Sequence, residues 1–214
     1  MFIGHHAAAF IAKPLAPRVS LGTLFAAALL LDLVWPILLL VGLEHVRIAP
    51  GITAFTPLDF YHYPITHSAA GALGWSVVVA VLYWLGHKRN ALIVGATVFS
   101  HWVLDFVTHR PDLPLWPGGP KVGLGLWHSV PATVIVEVAL FIGALALYLR
   151  ATRARDRAGS IALWALVVFL GLIYITNFTS PPPTDVKAIG WVGLAQWLFV
   201  PWGFWIDRHR EAAR

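Results

Sequence analysis

The sequence contains no cysteine. That excludes disulfides, thiolate-bound metals and a cysteine nucleophile, and it leaves ten histidines as the main soft-metal ligands. Charge is also scarce. Charged residues make up 12% of the 214 positions, against about a quarter in an average soluble chain. Hydrophobic residues make up 58%, and the mean hydropathy is +0.74. These values exclude an ordinary soluble domain and read as one integral membrane domain over residues 1–214. The formal net charge of +5 is no nucleic-acid signal. Lys and Arg sit in short loops and in the tail, as membrane topology requires. No internal repeat or low-complexity segment is visible. No charged region precedes the first apolar stretch, so a cleaved signal peptide is not expected.

What is present is a series of apolar runs separated by Pro, Gly and basic residues. Residues 2–12 are too short to span a bilayer and end at Lys13-Pro14, which predicts a half-membrane helix within residues 1–17. Six spans are expected at about 20–43, 66–86, 90–108, 129–149, 159–177 and 188–206. The fold class is therefore all-α, a polytopic membrane helix bundle with about six transmembrane helices. Residues 18–149 carry the candidate site, and 150–214 hold two further spans and a basic tail. Pro36 is expected to kink the first span and free the Asp32 carbonyl. Pro201 is expected to kink the last span. Asn90 is expected to cap the third. Residues 44–65 and 109–120 read as loops. Eleven of the fifteen Lys and Arg fall in the N-terminal segment, the 87–89 turn, the 150–157 loop and the tail. The positive-inside rule then puts both termini in the cytoplasm. Eleven Trp suit interfacial belts.

The residues that invite chemistry lie inside these runs. His101 and Asp105 are four apart and project from one helix face, where an imidazole and a carboxylate can share a metal. Ionisable groups within a membrane are costly and functional by default. Asp32 is such a group, and so is Glu137, a candidate general base or a structural hydrogen-bond partner. At ~1.5 Å per helical residue, Asp32 lies ~21 Å from Arg18, and His101 and Asp105 lie ~18 and ~24 Å from Arg89. They therefore occupy overlapping heights. His67, between Thr66 and Ser68, is either a ligand or a cap of the second span. His6 reads as an interfacial group and His128 as an interface residue. His109, Arg110 and Asp112 line a site entrance or solvate a loop.

Several short motifs recur in a known order: Gly4-His5, Leu31-Asp32 with Pro36, His62 followed by Thr66-His67-Ser68, Ser100-His101 with Asp105 and Thr108, and Leu113-Pro114-Leu115-Trp116-Pro117. Over about residues 4–117 the chain resembles the bacterial inner-membrane proteins called membrane-bound metal-dependent hydrolases. The resemblance implies a metal site of His5, Asp32, His62, His67, His101 and Asp105. There are departures: Val34 and Trp35 stand where that family often carries further ligands, and His62-Tyr63-Pro64 lacks its Arg.

The expectation is a metal-dependent hydrolase of the inner membrane acting on a lipid-borne or membrane-accessible ester, amide or phosphoester. It would use one divalent metal or two, zinc favoured, with Glu137 or Asp105 as the catalytic carboxylate. Membrane lipids are the expected partners. The alternative is a proton- or metal-coupled transporter. Haem held by paired His is a third reading, opposed by the nearby carboxylates.

Overall fold

The structure, a computed structural model, describes residues 1–87 and 89–213. Lys88 of the expected basic turn and Arg214 of the tail lie outside the described residues. Five helices are long and apolar enough to cross a membrane, and a bent pair makes a sixth span.

The first helix, α1 (Ile3–Leu15), is short and sits inside the bundle, with His5, His6 and Phe10 buried. It packs against α2 (Leu21–Ala28) and two later spans. Its N-terminal amides end at membrane depth, where Glu137 Oε2 accepts from Phe2 N at 2.9 Å and Gly4 N at 3.3 Å. Its other end is pinned by Lys13 Nζ, which donates to Asp207 Oδ1 at 2.6 Å and to the Val19 carbonyl at 2.9 Å. Ser20 caps α2 through Thr23 N.

The first span does not break where proline predicts. α2 and α3 (Leu30–Leu40) meet at 53° around Leu29, while Pro36 lies within α3. The Ala28 carbonyl at this bend accepts from His101 Nδ1 at 2.8 Å. A side-chain donor entering the backbone ladder is a sufficient cause for such a kink. Residues 44–65 are not all loop. Strands β1 (His45–Ile48) and β2 (Leu58–His62) form an antiparallel hairpin with His45 opposite His62.

The second span opens in two steps. One turn, α4 (Pro64–His67), precedes α5 (Ala69–His87). Ser68 lies between them; its hydroxyl donates to the Pro64 carbonyl and accepts from Gly71 N. Ser68 rather than His67 is thus the cap. α5 packs along α6 (Ala91–Thr108). Their close approach needs Gly95, where a Cβ would lie 2.9 Å from Ala80 Cβ. Asn90 adopts a left-handed conformation (φ 67°) and makes no side-chain cap, contrary to expectation. Asn tolerates this region better than most residues.

Beyond α6, β3 (Leu113–Pro114) pairs with β4 (Lys121–Val122). A 3-10 turn (Leu126–His128) leads into α7 (Val130–Ala151), which has Pro131 in its first turn and is capped by Ser129. α8 (Arg157–Thr179) is capped by Asp156. The last span runs through α9 (Val186–Leu194), a 3-10 stretch (Ala195–Leu198) and α10 (Phe199–Arg208). That 3-10 stretch, not Pro201, interrupts the span. β5 (Thr152–Ala154) pairs with β6 (Arg210–Ala212) at the arginine-rich end. Phe10, Phe25, Tyr148 and Leu166 fill the interior. Outward side chains are apolar too: Leu92 is 85% exposed and Leu82 64%. Lipid tails solvate such faces as readily as protein does.

Candidate metal centre

The site sits toward the end of the bundle opposite the arginine-rich end, near the close of α6. His101, Asp105 and His109 follow one another at intervals of four, so α6 and its first following residue present them in a column. Asp105 is 2% exposed and stands at the centre. His101 Nε2 lies 3.2 Å from its Oδ2, and His5 Nε2 lies 3.1 Å from its Oδ1. His67 Nε2 lies 3.7 Å from Oδ2, and His109 Nε2 lies 4.0 Å from Oδ1. Asp32 completes the group: its Oδ1 is 3.4 Å from His67 Nε2 and 3.6 Å from His101 Nε2. The Met1 α-amino group also donates to Asp105 Oδ1, at 2.5 Å.

Three of the four imidazoles have a fixed tautomer. The Ala28 carbonyl can only accept, so His101 Nδ1 carries the proton. The Thr66 hydroxyl donates to Glu44 Oε2 at 2.6 Å, so it must accept from His67 Nδ1 at 2.7 Å. Glu44 is fully buried and also accepts from the amides of Ile65 and Thr66. His109 Nδ1 donates to Asp112 Oδ1 at 2.9 Å, and the Tyr63 hydroxyl donates to the same oxygen at 3.0 Å. In its neutral form each ring then turns an Nε2 lone pair toward the carboxylates. Anchoring one ring nitrogen so that the other can bind is the arrangement that surrounds histidine metal ligands. Burial pushes the His109 imidazole below its ordinary pKa, opposed by its hydrogen bond to Asp112. Burial, reinforced by the Asp112 charge, holds the Tyr63 phenol well above its own.

His5 stacks on His101, with ring centroids 3.6 Å apart and planes within 4°. Both His5 nitrogens and His101 Nε2 are buried and have no hydrogen-bond partner. Unpaired buried nitrogens call for an explanation, and a cation is one. Two overlapping triads, His5–His101–Asp105 and Asp32–His67–His101, each bring their ligand atoms within 4.8 Å of one another. Imidazole and carboxylate donors of this kind fit a divalent metal.

The structure thus gathers His5, Asp32, His67, His101 and Asp105 from three helices, α1, α3 and α6, and the α4 turn. It does not bring His62 to them. His62 ends β2 exposed, with its ring 5.6 Å from that of His45, while the next residue, Tyr63, is buried. Glu137 is not among the cavity walls: its Oε2 accepts from the α1 amides, and its Oε1 is buried without a hydrogen-bond partner. His6 is not interfacial. It is fully buried between Phe25 and Phe199. His128 is exposed in the 3-10 turn. His109 lines the cavity, one of its two expected readings, but its Nε2 facing Asp105 and the anchoring role of Glu44 were not expected. The repeated interval 101–105–109 was the one available signal for His109, and none points to Glu44.

Above the cluster is a cavity of about 610 Å³ whose walls include His5, Asp32, His67, Asp105 and His109. Trp127 and Phe60 cover the His109 ring at centroid distances of 4.1 and 5.1 Å. Residues 1–180 match the model of the YdjM inner membrane protein family. The chain belongs to that family. With its apolar helices, membership makes it a multi-pass inner-membrane protein. No curated protein and no solved structure matches it. The YdjM match includes every residue of the cluster, whereas α9 and α10 lie beyond it.

Proposed function

We propose that this YdjM-family protein is a metal-dependent hydrolase acting on a lipid-borne or membrane-accessible ester, amide or phosphoester. The observation that carries the reading is the convergence of Nε2 lone pairs from separate elements on two carboxylates at the floor of a cavity. His5, His101 and Asp105, with Asp32 and His67, would hold one zinc ion or two. Bound there, a divalent cation supplies Lewis acidity and makes water nucleophilic near neutral pH. The proton lost from the attacking water goes to His109 Nε2, whose ring Asp112 and Tyr63 hold in place. Glu137 is replaced in that role because the α1 amides hold it. Trp127 and Phe60 keep bulk water off the ring.

Below the cluster, Phe10, Phe25 and Val98 close the bundle with buried apolar side chains. A closed floor favours a reaction over carriage across the membrane. The concentration of Lys and Arg at the far end would turn the cavity toward the outer face of the membrane and put the C-terminus in the cytoplasm. The expected cytoplasmic N-terminus does not fit this arrangement, because Met1 lies buried against Asp105 in the cluster.

The test is hydrolysis of a panel of acyl and phosphoryl esters by zinc-loaded protein in lipid nanodiscs. Wild type is expected to release product. His109→Ala should lose about 10²–10⁴ in rate, as expected for a general base, with its zinc content unchanged. Product release by His109→Ala at the wild-type rate, or none from any substrate with wild type, would contradict the proposal.

A further inference from the structure

A second cavity, about 690 Å³, lies beside the first. The two share Phe2, Trp35, Leu58, Asn177, Val192 and Gln196 among their walls, so the second leads into the space above the cluster. On one side, Phe169, Ile173 and Asn177 recur every four residues along α8. They make a stripe ~12 Å long. Ile189, Leu198 and Trp202 of the last span face it. Low in the bundle the two spans are joined, where Trp202 Nε1 donates to the Ala162 carbonyl at 3.0 Å. Among the described residues, no Lys, Arg, Asp or Glu lines the groove. Its amide groups, Asn177 and Gln196, sit at the junction with the first cavity.

An apolar groove between two membrane spans is bathed by acyl chains. This one is apolar along most of its length, and its amide groups lie where it meets the cluster's cavity. That gradient matches one lipid tail and the linkage at its head.

We infer that the groove between α8 and α9–α10 receives one acyl chain of a membrane lipid entering sideways from the bilayer, with its carbonyl linkage at the Asn177–Gln196 junction facing the His/Asp cluster. Cleavage of that linkage rests on the hydrolytic reading above; occupation by the tail does not. The step adds the water oxygen to the acyl carbon and breaks the bond from that carbon to the alcohol or amine. The water proton, held on His109, passes to the leaving group. The wall from Pro183 onward lies outside the matched family segment, so the groove can select a lipid particular to this chain.

The experiment uses the full chain in nanodiscs of phosphatidylethanolamine and phosphatidylglycerol. A trace of phosphatidylethanolamine carries a diazirine at the end of one acyl chain. After photolysis, labelled peptides are mapped by mass spectrometry. Label should concentrate in 169–177 and 188–202 over the exposed α5 face at Leu82 and Leu85. Ile173→Trp and Ala188→Trp, which fill the groove, should each lower groove labelling about tenfold, the scale at which a pocket discriminates methylene-sized volume. Labelling of α5 in the same sample should not change, and unchanged zinc content controls for folding. Equal labelling of groove and α5, or groove labelling untouched by both variants, would overturn the inference. Groove labelling without hydrolysis of any ester would remove the reaction and leave the groove. Hydrolysis without groove labelling would do the reverse.

Discussion

Thr66 shows how much of the site depends on single side chains outside the ligand set. Its hydroxyl passes the Glu44 charge to His67 Nδ1 and so keeps the Nε2 lone pair free. Thr66→Val removes the relay at nearly constant volume. Zinc affinity is expected to fall about 10–100-fold, as for other lost partners of metal-bound histidines. Thr66→Ser should restore most of it. A competition titration with a chromophoric chelator reads this directly, and equal affinity in wild type and Thr66→Val would contradict the relay. At this scale the sequence was partly legible. His101 and Asp105 could be paired because a helix brings i and i+4 to one face. His109 continues that interval but follows the helix end into a proline-rich loop, which disguised it. Glu44 lies more than twenty residues from Thr66, and nothing local ties them. His62 sits close to the motif in sequence, yet it ends β2 exposed and its neighbour Tyr63 is the buried one.

Three helix starts or breaks lie beside the site, and each serves it. α1 starts at membrane depth on Glu137, the α2–α3 bend offers the Ala28 carbonyl to His101, and the Ser68 break frees the α4 turn that carries His67. Backbone of this kind survives in a membrane only where protein or a cavity satisfies it. Glu137→Ala leaves the Phe2 and Gly4 amides without their acceptor. The expected cost is about 1–3 kcal/mol per buried donor, seen as a lower thermal midpoint, with weaker zinc binding as His5 loses its support. Glu137→Gln retains an acceptor oxygen and should be milder. An unchanged midpoint in Glu137→Ala would show that the α1 end needs no acceptor there. These breaks were hard to read from sequence. Proline marked Pro36 as the kink, but the bend is set by a donor from another helix. The half-length of α1, by contrast, followed from Lys13-Pro14 and a run too short to span.

The whole molecule is a bundle whose spans could be counted from apolar run length, because bilayer thickness fixes how many residues a helix needs. Its closed floor, its cavity and its lateral groove depend on how the spans pack, which run length does not encode. The proposed reaction requires a cation joining His5, Asp32, His67, His101 and Asp105. Counting metal by inductively coupled plasma mass spectrometry on purified full-length protein tests this most directly. Wild type should hold about one or two zinc ions per chain, the number that overlapping three-ligand groups can bind. His101→Ala, which removes the one residue common to both triads, should hold almost none, while the lipid-facing Val103→Ala keeps the wild-type content. A folded His101→Ala protein with its full complement of zinc would contradict the account.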